Sequence, residues 1–347
     1  MAYGGSGIGT KANDSEAPRV VVVGSINTDL VVTAERIVAP GETIAGTGFE
    51  TGQGGKGANQ ASAAAAAGAA AGTRVAMVGC VGDDANGRYA VATLRAGGVD
   101  VSHIGTADAP TGVALIQVAS DGENAITVVA GANARLSAEA VDAAFADIDA
   151  SLRPAAGVPD DGRMDSERDV DASPDAGRHD AAGAPVLVLC LEIPVETVTY
   201  AAVSARARGW TVVLNPAPAP QEPLPRALLD ALDVLVPNEQ EAAALGRSGA
   251  MSVPAGCAVV VTRGAAGAVL FRQRDDLVVP APSVHAADTT GAGDAFIGVL
   301  AVSLAEGRDL AEAVRRAVAG GAIATLKAGA RGSLPTASAI DEVLQRR

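Results

Sequence analysis

Four short segments carry residue types and spacings that could do chemistry. The first is Asp288-Thr-Thr-Gly-Ala-Gly-Asp294, at the start of an apolar-periodic stretch. Gly291, Ala292 and Gly293 can present successive backbone N–H groups at a helix N-terminus, a setting that favours an anion such as a phosphoryl group. Their small side chains let that anion come close to the backbone. Asp294 would stand beside it. Like charge makes Asp294 a poor ligand for the anion, but a carboxylate there suits removal of a proton from an attacking hydroxyl. Taken alone, the same residues also describe an Asp cap after a glycine turn.

The second segment, Gly54-Gly55-Lys56-Gly57-Ala58-Asn59-Gln60, runs into an Ala-rich helical stretch. Lys56 is one of three lysines, with Lys11 and Lys327. Glycines, a lysine and an asparagine on a first helical turn suit a polyhydroxylated ligand; the plainer reading is a flexible turn before a helix. The P-loop pattern is not met, because Lys56 is followed by Gly57 and not by Ser or Thr. The third segment, Gly24-Ser-Ile-Asn27-Thr-Asp29, leaves the first strand. Asn27 and Asp29 are placed there to bond a diol, or to form a turn. The fourth group stands at other strand exits: Glu192, Asn215, Asn238 with Glu241, and Thr262-Arg-Gly-Ala-Ala-Gly267. Each reads singly as a cap or turn. Together they mark one edge of an open α/β sheet, beyond the carboxyl ends of its strands, where ligands bind.

The elements that must position these residues are legible in outline. RVVVVG at 19–24 predicts a strand buried on both faces. Residues 28–50 alternate weakly around a Pro40-Gly41 turn and read as short half-exposed strands. A strand is expected at 75–78, and Asp83-Asp84 cap a helix to about Ala96, closed by Gly97-Gly98. Residues 111–130 read as two strands about an Asp121-Gly122 turn. Ser137 caps a helix to about Ile148. Strands follow at 186–191, 211–214, 233–236 and 258–262 with helices between most of them, and two longer helices at about 294–305 and 309–326. That rhythm predicts a mainly parallel sheet covered on both faces.

Composition narrows the function classes. The chain has 347 residues, 48% of them hydrophobic and 2% aromatic, so the core must be built from Ala, Val, Leu and Ile. Its net charge is −14, which argues against nucleic acid or an anionic membrane as partner. Cys80, Cys190 and Cys257 are far apart and form no metal or disulfide pattern, so reduced thiols in a cytoplasmic protein are expected. The N-terminal stretch has no apolar signal segment, and the Ala-rich run from Ala58 to Ala71 is too short to span a membrane. Residues 1–18 read as a disordered tail. The Pro-, Gly- and Asp-rich stretch 153–184 reads as a disordered acidic insertion without an assigned role.

These segments together resemble the PfkB, or ribokinase-like, family of sugar kinases. The resemblance runs from about Arg19 to the C-terminus apart from 153–184, through GSINTD, GGKGANQA, VGDD, TGVALI, GENAITVVAGAN, LNPAPA, PNEQEA, TRGAAGA and DTTGAGDAF. It implies a three-layer α/β/α domain over 19–347 with a mainly parallel sheet. A small β-sheet lid would come from about 28–50 and 108–131, and two lids would pack in a homodimer. The implied activity is ATP-dependent phosphorylation of D-ribose at the 5-hydroxyl, giving ribose 5-phosphate and ADP. Asp294 is then the base, and Gly291, Ala292 and Gly293 the anion hole. Asn27, Asp29, Gly55, Lys56, Gly57, Asn59 and Glu192 join Asp294 at the sugar. Asn238 and Gly293, with Thr262, Arg263, Gly264, Ala265, Ala266 and Gly267, face ATP. Asn238 and Glu241 match the pair that holds Mg²⁺ through water. Asp288, Thr290, Ala324, Lys327, Gly329 and Ser333 match a K⁺ site built mostly from backbone carbonyls.

Two departures stand out. The stretch from Gly246 to Ala258 is shorter than the family's usual helix-bearing connection, so a missing helix is expected there. The position often filled by Asn or His beside adenine aligns with Val318, which implies apolar adenine contacts. Within the family, 2-deoxyribose or a nucleoside such as adenosine is the alternative substrate. Outside catalysis, the alternative is a sugar- or nucleotide-binding regulator without turnover. The intact Asp294, anion hole and Asn238/Glu241 pair count against that last reading.

Overall fold

Four consecutive valines give β1 (Val20–Val23) no polar side, so it must be covered on both faces. A computed structural model, describing residues 17–153, 184–247, 254, 256–272 and 275–346, puts β1 in the middle of the main sheet. After it come β2 (Asn27–Ala34), β3 (Gly46–Gly54), α1 (Lys56–Gly68), β4 (Val75–Gly82), α2 (Ala85–Ala96), β5 (Val99–Asp100), β6 (Ile104–Ala107), β7 (Gly112–Ala119), β8 (Asn124–Val129) and α3 (Ala138–Leu152). Then follow β9 (Val186–Leu189), α4 (Val195–Ala207), β10 (Thr211–Leu214), α5 (Arg226–Asp230), β11 (Val234–Leu235), α6 (Glu239–Arg247), β12 (Ala258–Thr262), β13 (Ala268–Phe271) and β14 (Leu277–Val279). Three helices close the chain: α7 (Ala292–Ala305), α8 (Leu310–Ala324) and α9 (Ala337–Gln345).

The strands form two sheets. The main sheet has the order β14-β13-β12-β11-β10-β9-β1-β4-β5, with β6 also on β4. It is parallel except for the hairpin edge β13–β14. Successive valines of β1 face opposite layers. Val20 and Val22 join the core under α1, α2, α7 and α8, while Val21 and Val23 join the core under α3, α4 and α5. This is the expected three-layer arrangement. The second sheet has the order β3-β2-β7-β8 and is the expected lid.

Several boundaries differ from the sequence expectation. β3 continues through Gly52, Gln53 and Gly54, past the 28–50 span expected for these strands, because Asp29, Thr28 and Asn27 of β2 supply a ladder for them. β13, β14 and α9 were not anticipated. The first two are very short apolar runs split by charged residues; α9 buries only Ile340. The crossover from β11 to β12 does carry a helix, α6, whose last two residues, Gly246 and Arg247, open the stretch expected to lack one. Residues 248–253 and 255 of that stretch, with most of the N-terminal tail (1–16) and of the acidic insertion (154–183), lie outside the described residues. Val318 is buried in the core on the α8 side. Among the described residues no helix is long and apolar enough to cross a membrane.

Two glycines let the site-bearing helices close up. A Cβ on Gly57 would lie 2.7 Å from the Gly24 carbonyl carbon and the Ser25 nitrogen, so α1 starts directly against the exit of β1. Ala58 N–H completes the junction on the Ser25 carbonyl at 2.9 Å. On α7, a Cβ on Gly298 would lie 2.7 Å from Ala64 N and Gln60 O of α1. These are backbone atoms and cannot swing aside. Gly298→Val is therefore expected to part α1 from α7, lower stability by roughly 1–3 kcal/mol and reduce turnover. Thermal melts and steady-state kinetics read both, and a variant with wild-type Tm and kcat contradicts the close approach.

Candidate active site

The carboxyl ends of β1, β9, β10, β11 and β12 share one edge, and the sequence-marked residues collect along it. Gly55, at φ 87° and ψ 125°, turns the chain from β3 into α1. Lys56, Asn59 and Gln60 then lie on the first turns of α1. Asp294 lies on the first turn of α7, which starts after Gly291 at φ 78°.

Asp294 is buried and gripped through both oxygens. Asn59 Nδ2 donates to Oδ2 and Gln60 Nε2 to Oδ1, each at 3.1 Å. Gln60 also donates to Asn215 Oδ1 at 3.3 Å, and Asn215 Nδ2 is tied to the Val236 carbonyl at 3.0 Å. Burial pushes the Asp294 carboxyl above its ordinary value, while Lys56 and the two amides pull it back. A carboxylate so balanced is a stronger base than a solvated one and still accepts hydrogen bonds as the anion. Lys56 has the converse balance. Burial lowers it, but Asp294, Glu192, Cys190 and Glu241 more than reverse this and hold it above the usual lysine value.

On the other wall, Glu192 Oε2 accepts from Ser25 Oγ at 2.6 Å and from Lys56 N–H at 3.1 Å. Asn133 holds the β1 exit. Its amide bonds Ile26 N and O at 2.9 and 3.1 Å and donates to Asn27 Oδ1 at 2.7 Å, which leaves the Asn27 NH₂ for another partner.

Asp29 points over Gly54 of the neighbouring strand, where any Cβ would collide with its carboxylate. Its pKa is pushed up to about 6, first by burial and then by Glu192, with Arg331 opposing. Folded protein thus keeps this proton at pH values where the unfolded chain has lost it. The stability it contributes is complete below the ordinary value of 3.8 and is lost as pH rises through about 6. Asp29→Asn should accordingly raise Tm above about pH 6 and leave it unchanged in more acid solution. A Tm difference that is the same at every pH would contradict the shift.

At the nucleotide end the arrangement is looser. Gly291 and Gly293 carry their N–H groups at the open turn of α7, whereas the Ala292 N–H turns back to the Thr289 carbonyl at 3.2 Å. Asn238 and Glu241 form a reciprocal capping box on α6: Asn238 N–H donates to Glu241 Oε2, and Glu241 N–H to Asn238 Oδ1, both at 2.8 Å. Glu241 is nevertheless buried beside Lys56 and Asp294 electrostatically, with its pKa raised by burial. Thr262 bridges to Asn238, and Arg263 to Gly267 form a tight loop closed by Arg263 N–H on the Gly267 carbonyl at 2.7 Å. Arg263 also meets Glu239 at 3.3 Å. Asp288 ties two loops together, accepting from Thr290 N–H and Oγ1 at 2.9 and 2.7 Å and from Gly329 N–H at 2.8 Å. Ala324 ends α8 just before that loop, and Lys327 is exposed within it. The Ser333 side chain is half-buried. Among the described residues no group of three His, Cys, Asp or Glu side chains forms a metal cluster.

Sequence reasoning placed Asp294, Asn59, Lys56, Glu192 and Asp29 together, and the structure brings them together. It passed over Ser25, Gln60, Asn133 and Arg331. The first three lie inside motifs that were noticed, but their roles depend on which way each side chain turns. Arg331 lies between Gly329 and Ser333 and reaches the sugar side of the cleft: Nε donates to Asn59 Oδ1 at 2.9 Å.

Residues 17–156 and 173–337 match the pfkB family carbohydrate kinase. The chain is 36% identical over 341 residues to a ribokinase of Schizosaccharomyces pombe, covering 93% of this chain and 96% of that one. It is 34% identical over 339 residues to a ribokinase of Haemophilus influenzae, covering 94% and 98%. The solved structure of Arabidopsis thaliana ribokinase complexed with ribose and ATP superimposes with a TM-score of 0.73 at 28% identity, over 95% of this chain and 99% of that one. The chain belongs to the pfkB family of carbohydrate kinases and is an ATP-dependent sugar kinase.

Proposed function

We propose that this chain is a ribokinase, transferring the γ-phosphoryl group of ATP to the 5-hydroxyl of D-ribose. The observation that carries the reading is the position of Asp294. It is a buried carboxylate with both oxygens engaged by amides, on the first turn of a helix whose N–H groups open beside it.

Asp294 takes the hydroxyl proton as the oxygen attacks the γ-phosphorus. The N–H groups of Gly291 and Gly293, and that of Ala292 once released from Thr289, stabilise the charge on the transferring group. Asn27, Asp29, Lys56, Asn59 and Glu192 hold the sugar hydroxyls, with Gly55 and Gly57 letting the start of α1 close against the exit of β1 that carries Asn27. Asn238 and the 262–267 loop, Thr262 to Gly267, bind ATP. The lid shields the reacting groups from water, the competing acceptor.

The residues present fit both expected cations. Glu241, buried with one oxygen in the capping box, offers the cleft an anionic acceptor suited to holding Mg²⁺ through water. Mg²⁺ when bound would neutralise phosphate charge. Asp288 ties the Thr290 turn to Gly329, and with the oxygens of Thr290, Ala324, Lys327, Gly329 and Ser333 it would supply the oxygen donors that a K⁺ ion needs. K⁺ when bound would add positive potential behind the anion hole.

Two lids are inferred to pack against each other in a homodimer, because Phe49, Leu115, Ile126, Val128 and Val129 leave this small sheet with exposed apolar side chains. The three cysteines are free, which fits a reducing, cytosolic setting.

An ADP-release assay with ribose, 2-deoxyribose and adenosine in parallel, with and without K⁺, tests the proposal. Ribose is expected to give the highest kcat/KM. A preference for either other acceptor, or ribose binding without ADP release, refutes it.

A further inference from the structure

Arg331 comes from the loop after α8, a segment that the family resemblance marks mostly for its backbone carbonyls. Its side chain runs the other way, toward the sugar cleft. Nε donates to Asn59 Oδ1 at 2.9 Å, and one terminal nitrogen, Nη2, reaches the Gly54 carbonyl at 3.4 Å. The other, Nη1, is buried with no partner. Asn59 then donates Nδ2 to Asp294 Oδ2 at 3.1 Å. Three residues from three distant parts of the chain are thus joined in series.

The chemistry of the three groups sets the direction of that series. A guanidinium can only donate and an ionised carboxylate can only accept. An amide held between them has one permitted orientation, with its oxygen toward Arg331 and its NH₂ toward Asp294. With the guanidinium gone, Asn59 keeps the carboxylate on one side but has nothing to hold its oxygen on the other. The second donor to Asp294, Gln60, is already fixed independently through Asn215 and Val236. Asn59 is therefore the adjustable grip on the base, and Arg331 is what holds it.

A purely structural arginine does not explain the rest of its setting. Leaving Nη1 buried without a partner among the described residues is costly, and orphaned groups of this kind call for an explanation other than stability. Gln60 Oε1, in the same cleft, is orphaned as well. The positive charge also interacts electrostatically with the carboxylates of Asp29 and Asp294.

We propose that Arg331 is a positioning residue for phosphoryl transfer: by holding the Asn59 amide it fixes the Asp294 carboxylate in the orientation that takes the proton from the sugar hydroxyl. This rests on Asp294 being the base. Arg331 touches no reacting atom, so its effect must appear in turnover and must pass through Asn59.

Steady-state kinetics with ribose and Mg-ATP, together with thermal melts, test this on Arg331→Met, Asn59→Ala, the double variant and Asp294→Asn. Arg331→Met is expected to lower kcat roughly 10–100-fold, the scale of a misplaced catalytic group, and to lower kcat by more than it raises the ribose KM, since Asn59 also belongs to the sugar site. In the Asn59→Ala background the same substitution should cost less than about 3-fold in kcat, because coupled residues are not additive. Arg331→Lys carries the same test with less disturbance of packing, should Arg331→Met fail to fold: its kcat loss should also vanish in the Asn59→Ala background. Unchanged kcat in Arg331→Met, or full additivity in the double variant, overturns the proposal. Asp294→Asn separates the two levels. If it keeps near-normal turnover, the base assignment itself falls. If it is inactive while Arg331→Met is normal, only the role of Arg331 falls.

Discussion

Asp294→Asn is expected to lower kcat by roughly 10²–10⁴-fold while ribose binding stays within a few-fold of wild type. The substitution keeps the shape of the side chain and removes its basicity. It also spoils one hydrogen bond, since Asn59 and Gln60 each donate to one carboxylate oxygen and an amide can accept only one of them. Sugar affinity survives because Asn27, Asp29, Lys56 and Glu192 lie on other elements and are held by Asn133, Ser25 and the start of α1. Single-turnover kinetics paired with calorimetric ribose binding separate the two effects. Near-normal turnover in the variant would show that another group accepts the proton.

The second large effect is expected at Lys56. Its ammonium interacts electrostatically with Asp294, Glu192 and Glu241, and their pull outweighs its own burial. Truncating one partner of such a set leaves buried negative charge uncompensated, which costs about 2–5 kcal/mol. Lys56→Met should therefore lower kcat/KM for ribose by roughly 10²–10³-fold. The sign with pH follows from the same charges. Lys56 is the largest influence holding the Asp294 carboxyl down against its burial, so its loss moves the acid limb of the kcat/KM profile to higher pH. Lys56→Arg should rescue little, because a planar guanidinium replaces a compact ammonium at a tightly packed helix start. A change below about 3-fold in Lys56→Met would place the ammonium outside the site.

How far the sequence reached depended on whether a feature was local. Asp294 and Asn59 were legible because each begins a helix after glycines, and helix starts beside strand exits collect on one sheet edge. Arg331 was not legible: nothing about its neighbours Gly329 and Ser333 says that its side chain turns back to Asn59. Gln60 follows Asn59 directly, yet two adjacent helical residues point about 100° apart. Only the close crossing of α1 by α7 at Gly298 brings both amides onto one carboxylate. Asn238 and Glu241 are ambiguous for a different reason. A spacing of three residues serves a capping box and a ligand pair equally, and here the box is made. The sheet interior, β1 and β9 to β12, was readable from runs of Val and Leu. The β13–β14 edge was not, since its short apolar runs are divided by the charged stretch from Arg272 to Asp276 and lie at an exposed edge.

The lid joins the main body at residues that themselves line the cleft. β2 leaves at Asn27, β3 returns at Gly54 beside Gly55, and β7 starts at Gly112, next to Asn133. Acceptor recognition and phosphate transfer consequently share the same hinge: Asp29 belongs to the root of the flap, and Lys56 and Asn59 to one of the two crossing helices. A movement of the flap about those junctions would therefore be felt directly at the reacting groups.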